Sequence, residues 1–163
     1  MPGAYFRRPL LFCGNAGNDD TRKINLKEAT AYWITQFAGA IVAALLVSFV
    51  FGVKGSGNCV IPDDGILKAI VTEVLGTFAL AYVILNVATT TGTKGNSFYG
   101  LAIAGTVLAM ALIVGVFSGG AFNPAVAIGL SLQKSFCLAQ IWIYFVACFT
   151  CGALAGIVFR LYQ

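Results

Sequence analysis

"FSGGAFNPAVAIGLSLQK", residues 117–134, decides how the surrounding chain is read. Pro124 sits inside an apolar run, preceded by Asn123 and by Gly119 and Gly120, and Lys134 closes the run. A helix over 124–133 rises about 1.5 Å per residue and so reaches about 15 Å, half of a hydrocarbon core about 30 Å thick. The segment is too short to cross a bilayer and too apolar for a water-exposed loop. It reads as a re-entrant half-helix over 123–133. Asn123 is a favoured N-cap, and Pro124 suits the first helical position, where its missing N–H has no partner to lose. Ser118, Gly119 and Gly120 permit a tight return path from the preceding span. Such a helix places unpaired N–H groups and the positive end of its dipole near the bilayer centre. That arrangement favours hydrogen-bond acceptors and repels cations and protons. The alternative takes 124–133 as the start of one long kinked span, which would leave Lys134 in mid-membrane.

The rest of the chain supports a membrane setting. Of 163 residues, 59% are hydrophobic and 10% charged, against about 25% charged in soluble domains. The mean hydropathy is +0.88. An all-α integral membrane fold follows, with spans expected at about 29–52, 69–90, 98–117 and 135–159. Residues 1–27 form a polar, basic N-terminal arm, and 28–163 a single membrane domain. Histidine is absent, and no nucleophile–base pair is visible, so an enzyme reading has little support. Cysteines 13, 59, 137, 148 and 151 lack metal-ligand spacing; four of them lie in or beside apolar runs or in the basic arm and read as small apolar residues or free thiols. No metal, cofactor or nucleic-acid partner is expected. With the arm cytoplasmic, Arg7, Arg8, Arg22, Lys23, Lys27, Lys94 and Arg160 lie on that side, and Lys54, Lys68 and Lys134 opposite. This asymmetry fits the positive-inside rule and puts both the arm and the C-terminus in the cytoplasm.

At Asn123-Pro124-Ala125 the sequence resembles the major intrinsic protein family, the aquaporins and glycerol facilitators. "TEVLGTF" (72–78) resembles the family's Glu-x-x-Gly-Thr signature, and "QFAGA" (36–40) its Gln-x-x-Gly-Ala pattern. "WIYFVACFTCGALAG" (142–156) resembles the sixth span and "SGGAFNPAV" (118–126) the NPA loop. The resemblance covers about 29–160. Its order matches spans 3 to 6, a partial fold without spans 1 and 2 or the first NPA loop. A second register takes 69–159 as the first half and leaves 29–52 unexplained. Two local departures stand out: Val126 occupies the place of a usual arginine, and Cys148 that of a usual proline.

The resemblance implies a pore. Asn123, Pro124 and Ala125 would form the NPA end, with the Asn123 amide donating to a passing solute. Backbone carbonyls of Ser118, Gly119, Ala121 and Phe122 would accept from it. Ala111, Gly120 and Val126 match the selectivity filter; all are small or apolar, implying a filter wide enough for neutral solutes larger than water. Glu73 would brace the NPA loop, although an acid a turn from Lys68 can also snorkel. The leading expectation is a passive channel module for water or small neutral solutes, in contact with lipid. It would act as a homo-oligomer, as family tetramers do, or with a complementary half. Two others stay open: a truncated non-conducting fragment, and a four-span proton-coupled transporter using Glu73.

Overall fold

The computed structural model describes residues 26–52, 61 and 65–162. The basic arm up to residue 25, with its arginines and Cys13, and most of 53–64, with Lys54 and Cys59, lie outside them. Among the described residues, four helices are long and apolar enough to cross a membrane. They are α1 (Leu26–Phe51), α2 (Ile66–Thr89), α3 (Tyr99–Ser118) and α5 (Ile141–Tyr162). The short α4 (Pro124–Leu132) lies between α3 and α5. Lipid supplies no hydrogen-bond partners, so a spanning segment must pair its backbone within itself, and these runs do so as helices. Their hydroxyls follow the same rule: Thr72, Thr106, Ser131 and Thr150 each donate to a carbonyl one turn back in their own helix.

The principal packing runs α1–α4–α5–α2–α3. α2 and α5 form the centre, where Ala81 and Leu85 meet Ala155, and Ala69 meets Ile143. Small residues let these backbones approach closely, which is how helices gain dispersion contact where lipid removes the hydrophobic drive. α1 and α3 lie at the two ends and are mostly exposed. Their outer residues, including Phe49, Leu108 and Leu112, are apolar.

Connections close the polar ends. Between α2 and α3, Asn96 Nδ2 donates to the carbonyls of Val87 and Thr93. Thr93 Oγ1 donates to those of Asn86 and Thr90, so the last carbonyls of α2 are met by side chains. At the opposite end Gln140 Nε2 donates to the Ile61 carbonyl, tying the α1–α2 connection to the start of α5. α4 stops in a Schellman motif: Ser135 N–H bonds to the Leu130 carbonyl and Lys134 N–H to that of Ser131. Lys134 holds the left-handed position at φ 59°, where glycine is usual. A 3₁₀ turn, Leu138–Gln140, leads into α5, so α4 and α5 are separate helices rather than one kinked span.

The reading of cysteines in apolar runs as small apolar residues or free thiols is corrected at Cys137, which is disulfide-bonded. Its partner lies outside the described residues. Pairing depends on approach in space, which spacing along the chain does not reveal. Cys148 and Cys151 are free and buried.

α4 is held to α1 by a close backbone contact at a glycine. A Cβ on Gly129 would stand 3.2 Å from the Ala40 carbonyl oxygen. Gly129→Leu should therefore lower the thermal midpoint in detergent, at a cost of about 1–3 kcal/mol for overpacking. Gly39→Ala, where nothing lies within 4 Å, should leave the midpoint essentially unchanged.

Candidate functional site

The site is the turn between α3 and α4. Gly119 ends α3 in the left-handed conformation (φ 84°), and Gly120 (φ 66°) and Phe122 (φ 51°) are left-handed as well. A chain reversing this sharply exposes successive N–H groups that no helix pairs, and here protein groups meet them. Ala121 N–H donates to Glu73 Oε1 at 3.1 Å and Phe122 N–H to Oε2 at 2.9 Å. Ser118 Oγ donates to Oε1 at 2.7 Å and itself accepts from Gly120 N–H at 3.2 Å. Glu73 is fully buried. It is therefore not snorkelling toward Lys68; both carboxylate oxygens are turned to the loop. Bonds to a charged acceptor are about twice as strong as neutral ones, which suits an acid that must stay in the bundle.

Three consecutive N–H groups point to Glu73 and Ser118. The α4 end follows directly: Asn123 is its N-cap, its Oδ1 accepting from Ala125 N–H at 2.9 Å, and Pro124 takes the first helical position. α4 runs for 9 residues, a length of about 13 Å. Its N-terminus thus lies inside the bundle and its C-terminus at the end that carries Lys134.

Of the other residues singled out from sequence, Ala111 and Gly120 come together: a Cβ on Gly120 would lie 3.5 Å from the Ala111 Cα. Val126 stands on α4 with 43% of its surface exposed. Ser118 is fully buried, and its carbonyl already accepts from the Tyr144 hydroxyl. Ala121 and Phe122 are buried, while Gly119 and Gly120 are partly exposed. Cys148 is buried with its Sγ 4.0 Å from Thr77 Oγ1, so a thiol fills the α2–α5 contact at that level.

Three site residues escaped the sequence reading. Gly76 is needed because the Phe122 ring lies where its Cβ would be. Phe136 does the same to Gly119 and stacks on Tyr144, with centroids 5.2 Å apart. Tyr144 bonds the loop from α5. Gly76 and Tyr144 each stood within a quoted motif, so a signal existed for both. Nothing near Phe136 or Tyr144 in sequence marks the partner, which lies 26 residues from Tyr144.

These features define a class: a multi-pass membrane protein whose re-entrant half-helix is delivered to the interior of its bundle. The chain belongs to the major intrinsic protein family, whose model matches residues 17–159. It is similar to a probable aquaporin TIP2-2 of Oryza sativa subsp. japonica, 37% identical over 141 residues, 85% of this chain and 55% of the relative. Aquaporin TIP2-3 of Arabidopsis thaliana is 39% identical over 137 residues, 78% of this chain and 52% of the relative. Aquaporin TIP1-1 of Zea mays is 33% identical over 141 residues, 85% and 55% respectively. The chain spans about half the length of the relatives it matches.

Glu73→Gln keeps the shape and removes one acceptor. With its oxygen toward Ser118 and Ala121, the amide nitrogen faces the Phe122 N–H, donor against donor. The loss should be about 1.5–3 kcal/mol, the worth of a hydrogen bond to a charged group. It should appear as a lower thermal midpoint and faster proteolysis between α3 and α4.

Proposed function

We propose that this chain is a channel module through which water or small neutral solutes cross the membrane passively. The observation that carries the reading is the turn at 118–123. Its N–H groups of residues 120–122 are drawn to Ser118 and Glu73, and in this reading the carbonyls of 119–122, which take no part in those bonds, would be the acceptors offered to a solute. A short ladder of carbonyl acceptors beside a half-helix N-terminus can replace part of a solute's hydration shell while its positive end disfavours cations. Asn123 would supply the donor: its Oδ1 is held by the Ala125 N–H, which turns the Nδ2 amide away from that bond. The family membership and the aquaporin names of its relatives support the same reading.

In this scheme Ala111, Gly120 and Val126 form the filter. None offers a charge or a side-chain hydrogen bond, so selection rests on width and on backbone groups. Passage requires no catalysis and no cofactor. The apolar outer faces of α1 and α3 would meet lipid, further copies of the chain in a tetramer, or a complementary half.

Two independent features support an orientation with the arm and C-terminus in the cytoplasm. The charge asymmetry fits the positive-inside rule. Cys137, at the opposite end beside Lys134, is disulfide-bonded, which belongs to an oxidising compartment.

Proteoliposomes holding the purified chain should shrink in an osmotic jump faster than empty vesicles, with no dependence on a pH gradient. Shrinkage at the empty-vesicle rate would leave the non-conducting fragment. Uptake driven by a pH gradient and abolished by Glu73→Gln would leave the proton-coupled transporter. Val126→Arg should narrow the path and add a cation. It should cut passage of a neutral solute larger than water roughly tenfold, a barrier change of about 1.4 kcal/mol, while sparing water.

A further inference from the structure

We propose that Tyr144 is a positioning residue for the re-entrant loop, setting the direction of the Ser118 carbonyl and so the aim of the acceptors that follow it. The inference rests on the channel reading above for its consequence, though not for its geometry.

Ser118 is gripped by two helices at once. From α2, Glu73 accepts from its hydroxyl. From α5, the Tyr144 hydroxyl donates to its carbonyl at 2.5 Å. Tyr144 is 2% exposed and lies one turn into α5, where the α2–α5 packing holds the helix still. Its ring is stacked at 18° on Phe136, and the Phe136 ring occupies the space beside Gly119. Residue 118 is thus fixed through both its polar groups and residue 119 through its Cα face. The Tyr144 bond also closes the base of the whole re-entrant unit, from the end of α3 to the start of α5. Glu73 sets where the N–H groups of the turn point. Tyr144 sets where the preceding carbonyl points, and the two together leave the peptide planes between them little freedom.

Removing only the hydroxyl leaves the carbonyl of buried Ser118 without its side-chain donor. A buried carbonyl without a partner is costly, so the 118–119 peptide would rotate toward any donor within reach, which includes solute or water in the path. The ring and its stack on Phe136 remain, so Tyr144→Phe should fold.

The experiment compares the reconstituted wild-type chain with Tyr144→Phe in two ways. Hydrogen exchange over a peptide covering 117–123 should rise roughly five- to tenfold, the size expected for one lost hydrogen bond. Exchange in the centre of α2 should stay unchanged. In proteoliposomes the ratio of glycerol to water permeability should rise severalfold. A merely structural role would instead lower both permeabilities in proportion. Unchanged exchange over 117–123 overturns the inference whatever the fluxes do. Faster exchange with an unchanged permeability ratio overturns it as a determinant of selectivity. If the wild-type chain carries no flux, the channel reading fails by itself, and the exchange result alone decides whether Tyr144 positions the loop.

Discussion

A carboxylate placed inside a membrane bundle and a backbone turn placed at the same depth are each costly alone, and here each removes the cost of the other. Glu73 has two oxygens to satisfy, and the turn after α3 has N–H groups and a serine hydroxyl without helical acceptors. Hydrocarbon offers neither side any water. Once they are joined, the half-helix that follows begins from a fixed point. The left-handed residues at 119, 120 and 122 form the reversal in which successive N–H groups turn to Glu73 and Ser118. Phe122 carries a side chain in this conformation, and Gly76 makes room for its ring on α2.

The remaining architecture serves to hold that turn still. α2 supplies Glu73 and Gly76, α5 supplies Tyr144, and Phe136 wedges between the half-helix exit and Gly119. α1 touches the far side of α4 through the Gly129–Ala40 approach and the Gln133 bond to the Ala44 carbonyl. The half-helix is therefore clasped at its start by hydrogen bonds and along its length by backbone contact. Hydrogen bonds fix directions, and close packing fixes distance. The proposed channel would need both, because a carbonyl turned by a few tens of degrees presents a different acceptor.

Much of the fold was legible because lipid imposes length and composition directly on sequence. Four charge-poor runs of helix length can only be helices in that solvent, and a run half as long bounded by Asn-Pro and lysine reads as a different element. The capping of α4 was equally local: Asn123 and Pro124 act on groups within two residues of themselves. The site was legible only as a roll of residues. Glu73 drew notice as an acid in a span, and Ser118 and Gly119 as neighbours of the motif. That Ser118 spends its hydroxyl on Glu73 and its carbonyl on Tyr144 required helices 45 and 26 residues away to be brought alongside.

The cysteines divide along the same line. Their number and spacing were read as inert, yet Cys137 is disulfide-bonded while Cys148 and Cys151 stay free between α2 and α5. By itself the sequence determined the solvent, the helix lengths and the half-helix cap, because each depends on chemistry within a few residues. The tertiary structure alone decided which groups of the loop are taken, and by which helix. That follows from hydrogen bonding being directional and short-ranged: its partners are set by where the helices meet, which no local pattern contains.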